Sequence, residues 1–119
     1  MSYDYAVTRV LRVVDGDTID AVIDLGLRVT VTERLRVLGV QCPESRKPGG
    51  SEATRFTTAW LTIAHVKGGL RVTTHKADSF GRWLADFRDD TTGEHLAGAL
   101  IGAGHAAPYA RALPPKETP

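Results

Sequence analysis

From Thr18 to Val37 the chain alternates apolar and polar residues, and this period of two leaves little choice of structure. Ile19, Ala21, Ile23 and Leu25 fall on one parity, against Thr18, Asp20, Val22 and Asp24 on the other. Gly26 is the hinge. Beyond it Leu27, Val29, Val31, Leu35 and Val37 share one face, and Arg28, Thr30, Thr32, Arg34 and Arg36 share the other. Glu33 alone breaks the apolar parity, which predicts a bulge or a barrel corner beside it. Two half-buried strands back to back need more sheet to cover them.

The flanking sequence supplies it. Tyr5 to Val14, rich in valine, tyrosine and threonine, predicts a first strand, and Asp15-Gly16 a tight turn into the second. Ser51 is the expected N-cap of a helix to Lys67, with Glu52 in its first turn. Ala53, Phe56, Trp60, Ile63 and Ala64 form its apolar face, and Gly68-Gly69 ends it. Leu70 to Lys76 and Arg82 to Arg88 read as two more strands, and Glu94 to Ala103 as a short helix closed by Gly104. Trp60 and Trp83 are assigned to the core. Five strands with a helix between the third and fourth is the order of an OB-fold, a small Greek-key barrel. The fold class expected is therefore mainly β with α (α+β), a five-stranded barrel with two helices. Residues 1–107 form the domain, and the proline-rich residues 108–119 a tail without a stable element.

The stretch Arg34 to Glu44 carries the chemistry. It begins as a strand and stops at Pro43, which cannot donate to a ladder and holds Cys42 extended. Arg36 is thus fixed on a strand, and Glu44 is delivered just past its end. Upstream lies Asp15-Gly16-Asp17-Thr18; downstream, Asp78-Ser79-Phe80-Gly81-Arg82. Taken singly, Asp17 is a turn residue, Arg36 a solvated strand residue, Glu44 a loop acid and Arg82 a strand-edge charge. Together, the order Asp-Gly-Asp-Thr, Arg before Pro-Glu, then Gly-Arg resembles the staphylococcal nuclease family, from about Arg12 to Ala106.

The resemblance implies a calcium-dependent endonuclease that hydrolyses phosphodiester bonds of DNA, and of RNA as a second substrate, with little sequence preference and with 3′-phosphate products. It implies catalytic roles for Arg36, Glu44 and Arg82: Glu44 as general base or water orienter, and the arginines on the phosphate, where a guanidinium fork matches two oxygens. It also implies calcium ligands at Asp17, at the carbonyl of Cys42, and at position 41. There the family usually has an acid and this chain has Gln41, a neutral oxygen donor that predicts weaker calcium binding. Asp15 is the expected compensating acid, through a water; Asp20 and Asp24 lie on the opposite parity. Phe80 and Tyr109 are candidate base-stacking surfaces, with core packing equally open for Phe80.

Charge and composition decide between classes. At 119 residues and net charge +1 the chain is one domain without a global basic field, which disfavours a purely electrostatic nucleic-acid binder more than an enzyme with a local basic site. The lone Cys42 excludes an internal disulfide and, with no histidine near it in sequence, reads as a small semi-buried residue rather than a nucleophile. His65, His75, His95 and His105 make no metal-ligand spacing. No run is long enough to span a bilayer and no signal pattern opens the chain, so a cytoplasmic monomer without membrane contact is expected. The alternative is a catalytically weakened OB-fold domain that binds nucleic acid or protein without cleavage. Gln41 favours it, and the joint presence of Asp17, Glu44, Arg36 and Arg82 opposes it.

Overall fold

The computed structural model describes residues 3–77 and 81–109. In chain order the elements are β1 (Tyr3–Asp15), β2 (Thr18–Gly26), β3 (Val29–Val37), β4 (Val40–Gln41), α1 (Gly50–Val66), β5 (Leu70–Ala77), β6 (Trp83–Asp89), β7 (Glu94–His95), α2 (Leu96–Gly102) and β8 (Ala107–Pro108). The main sheet runs β3-β2-β1-β5-β6-β7, and β3 also pairs with β6. That last pairing is parallel, with Leu35 opposite Trp83 and Val37 opposite Ala85, and it closes five strands into a barrel. The fold is the OB-type α+β barrel that the order of elements predicts.

Closure needs curvature, and β1 provides it. Its register against β2 shifts at three places, between Val7 and Arg9, Val10 and Arg12, and Val13 and Asp15. Each shift adds local twist, so one long strand can leave β2 and join β5 at its other end. The bulge expected beside Glu33 is absent: Thr18 to Asp24 pair without a break against Arg36 to Thr30. Glu33 instead stays half-buried at the open barrel mouth. That mouth is an apolar cavity of about 340 Å³ walled by Tyr5, Leu25, Val31 and Trp83 among others.

The core comprises the inward faces of the strands, with Ile19, Ile23, Leu35, Val37, Val72 and Phe87 fully buried, and Leu61, Leu96 and Leu100 from the helices. Truncating a side chain such as Phe87 to alanine typically costs ~3–5 kcal/mol. Several expected core residues lie elsewhere. Leu27 is 98% exposed and Val29 is exposed too, because Leu27 and Arg28 both adopt left-handed φ and form the hairpin tip. Trp83 is 39% exposed at the barrel mouth. On α1, Ala53, Thr57, Leu61 and Ala64 face inward, Phe56 and Trp60 are partly buried, and Ile63 is exposed.

Helix α1 starts two residues earlier than expected. Its N-cap is Gly49, at φ 82°, and Ser51 makes no cap. The reason is space at Gly50, where a Cβ would come within 1.8 Å of the Glu44 carbonyl oxygen. Alanine normally favours a helix over glycine by about 1 kcal/mol, but this clash is with backbone and outweighs it. Gly50→Ala is expected to destabilise the protein by about 2–3 kcal/mol and to displace the Glu44 turn. A thermal midpoint lower by ~10 °C, read by circular dichroism, is the expected result; an unchanged midpoint would show that the turn gives way freely.

Candidate active site

The Asp15-Gly16-Asp17 turn between β1 and β2 is pinned from behind by α1. Thr57 Oγ1 donates to the Gly16 carbonyl at 2.6 Å, and a Cβ on Gly16 would stand 2.9 Å from that of Ala53. The turn therefore has a fixed height above the helix. Asp17 points inward at 5% exposure. Its Oδ2 accepts the Cys42 N–H at 2.8 Å, and its Oδ1 accepts the Thr18 hydroxyl at 3.1 Å.

Arg36 lies against it, at 6% exposure, and is not the solvated strand residue that it reads as when taken singly. Nη1 lies 3.4 Å from Asp17 Oδ2 and donates to the Val37 carbonyl at 2.8 Å. Nη2 donates to Gln41 Oε1 at 3.0 Å. The guanidinium carbon stands 5.6 Å from the Tyr109 ring centroid, within cation–π range. Tyr109 is brought there by a small second sheet, in which Gln41 of β4 pairs with Ala107 of β8 and the Tyr109 N–H donates to the Gly39 carbonyl.

Ser45 fastens the loop that carries Glu44. Its N–H and hydroxyl both donate to Asp15 Oδ1, at 2.8 and 3.0 Å, and the hydroxyl also reaches the Val14 carbonyl and Thr54. Glu44 itself is exposed, and among the described residues its carboxylate has no hydrogen-bond or ion-pair partner. Arg82 enters from the start of β6, which the parallel pairing sets beside β3. Asp17, Arg36, Gln41, Cys42, Glu44, Arg82 and Tyr109 thus line one pocket of about 230 Å³, with Asp15 and Thr18. A second, more open groove of about 610 Å³ shares Gln41, Cys42 and Glu44 with it and continues past Lys47 and His105.

Two curated proteins match the chain. A thermonuclease of Staphylococcus hyicus is 37% identical over 83 residues, 65% of this chain and 45% of that protein. A thermonuclease of Staphylococcus intermedius is 39% identical over 82 residues, 64% and 45% respectively. Over the matched stretch the chain is similar to these staphylococcal thermonucleases. It spans under half the length of those relatives. No family model matches it.

Seven of the eight residues singled out in the sequence come together in the pocket; Phe80 lies outside the described residues. Asp20 and Asp24 are excluded as parity requires. Asp20 is bound in a fork by Arg34, at 2.7 and 2.9 Å, which holds its carboxyl below the usual range, and Asp24 accepts the Gly26 N–H. Cys42 is buried, and burial pushes its thiol up to about 12, so it is no nucleophile near neutrality. His65 meets the Thr8 carbonyl, His95 meets Asp86, and His105 packs on Phe56. Ser45 is the residue that the sequence reading missed. A serine in a loop has many uses, and no periodicity marks this one.

The calcium that family resemblance implies can be tested against these donors. Calcium takes roughly six to eight oxygen ligands. Among the described residues no three His, Cys, Asp or Glu side chains gather closely enough to hold a metal ion. The Gln41 amide oxygen faces Arg36, Asp17 faces Arg36 and the Cys42 N–H, and Asp15 faces Ser45. As arranged, this donor set does not fit calcium.

Proposed function

We propose that this chain hydrolyses phosphodiester bonds in DNA and RNA, as an endonuclease of little sequence preference that leaves 3′-phosphate ends. The supporting observation is that Arg36, Glu44 and Arg82 share one pocket although Arg82 lies far from the other two in sequence. Two guanidinium groups hold the phosphate and stabilise the charge that grows on it, and an unpartnered carboxylate faces the same space. Glu44 takes a proton from water as the water oxygen bonds to phosphorus. The P–O5′ bond then breaks, and Arg82 stabilises the leaving oxygen. Asp17 and Tyr109 hold Arg36 in place. Calcium, the cofactor of the resemblance, is assigned no step, because two of its three implied ligands, Asp17 and Gln41, are engaged by Arg36.

A second reading is a domain that binds nucleic acid without cutting it. The closed Asp17–Arg36–Gln41 network favours it, since these side chains already satisfy one another. Digestion of single- and double-stranded DNA and RNA by stringently purified protein, with calcium titrated against a chelator, separates the two. Cleavage with 3′-phosphate ends supports the hydrolase. Oligonucleotide binding with no cleavage at any calcium concentration establishes the binder.

A further inference from the structure

We propose that Gln41 is a positioning residue for Arg36, and that Arg36, rather than a calcium ion, is the cation that holds the substrate phosphate in this pocket. The proposal rests on the nuclease-like reading only for the identity of the anion. The rest follows from who touches whom.

The guanidinium is held at three points and against a ring: Val37 O at 2.8 Å, Asp17 Oδ2 at 3.4 Å, Gln41 Oε1 at 3.0 Å and the Tyr109 face. A planar group so held cannot swing. Arginine has five N–H donors; the hydrogen bonds use one on Nη1 and one on Nη2, and Asp17 lies beside Nη1 as an ion pair. Among the described residues the Nε–H and one Nη2–H have no hydrogen-bond acceptor, and Arg36 lines the pocket that an anion would enter. The neutrality of Gln41 matters here. Asp17 already matches the charge of Arg36, so an amide at position 41 orients the guanidinium without adding a second carboxylate to compete with a phosphate. An acid there would clamp Arg36 between two anions and would leave excess negative charge for a divalent cation. Gln41 lies on β4, and its side chain reaches Arg36 across the pocket rather than pointing an oxygen outward.

The test is binding of a fluorescent 5′-phosphorylated dinucleotide, by anisotropy, in excess chelator and in calcium. Wild type is expected to bind equally well in both. Gln41→Met keeps the length and loses the oxygen; it should weaken binding about tenfold in both conditions, the scale of a hydrogen bond to a charged group. In an Arg36→Lys background the same change should have no further effect, which a merely structural role would not produce. Gln41→Asp should make binding depend on calcium, with heat of calcium binding gained by calorimetry. If Gln41→Met does not fold, Gln41→Ser is read in the same way. Calcium tightening wild-type binding tenfold or more overturns the proposal, and so does a loss from Gln41→Met that persists in the Arg36→Lys background. A wild type that binds the dinucleotide but cuts no nucleic acid sinks the hydrolase reading alone. One that binds nothing overturns both.

Discussion

Glu44→Gln is expected to reduce cleavage by roughly a hundred- to ten-thousandfold, the usual cost of removing a general base, while oligonucleotide binding stays level or tightens. The structure makes this a clean substitution. The Glu44 side chain is exposed, and among the described residues it makes no hydrogen bond or ion pair that the amide would break. Its backbone is set by Pro43 before it and by the Ser45–Asp15 bonds after it, and its carbonyl accepts the Lys47 N–H at 2.9 Å. The variant should therefore melt with the wild type. Removing one negative charge beside a phosphate can only favour binding electrostatically. Single-turnover cleavage and anisotropy on the same oligonucleotide check both halves. Turnover within threefold of wild type would remove Glu44 from the chemistry.

Arg36→Ala is expected to fail twice over. Removing a charged donor aimed at the transition state costs about a hundredfold or more in rate. The strand parity alone places Arg36 in an open cleft and predicts little change in folding. The structure buries both partners instead, with side-chain exposures of 7% for Arg36 and 6% for Asp17. Breaking a buried pair from one side typically costs ~3–5 kcal/mol, because Asp17 is left charged and out of water. Arg36→Lys separates the effects. It keeps the charge near Asp17 and loses the fork that spans Asp17, Val37 and Gln41, so its stability should recover more than its rate. Thermal melts beside turnover for Ala and Lys decide the matter. If the alanine variant melts with the wild type, the Asp17–Arg36 pair does not hold the site together.

The barrel was legible because its signals are redundant. Alternation from Ile19 to Ile23 and at Leu35 and Val37 placed the same faces inward that the structure buries. The helix and the two later strands came within a residue or two of their bounds. The pocket residues were singled out for a different reason, the resemblance carried by Asp-Gly-Asp-Thr, Arg before Pro-Glu and Gly-Arg, and the fold gathers seven of them along one lining. The failures share a cause as well. The hairpin tip at Leu27-Arg28 carries neither glycine nor asparagine at its left-handed positions, so it read as strand. Ser51 looked like a cap, but the close approach of Gly50 to the Glu44 carbonyl set the helix start, and one-dimensional pattern contains no such distance. Strands of two residues, β4 and β8, have no period to detect. They nevertheless bring Tyr109 to Arg36.

The parallel seam between β3 and β6 has a consequence for how the molecule comes into being. Hairpins β1–β2–β3 can form from neighbouring residues, but the seam joins Leu35 to Trp83, and the chain between them must be made and folded first. Closing so long a loop is the slow, entropically opposed event in a topology of this kind. Arg82 reaches Arg36 and Glu44 only once the seam is shut. A nascent or partly unfolded chain can thus hold a well-formed meander and helix and still lack the pocket. The lining that unites Arg36, Glu44 and Arg82 therefore depends on a non-local pairing of the barrel.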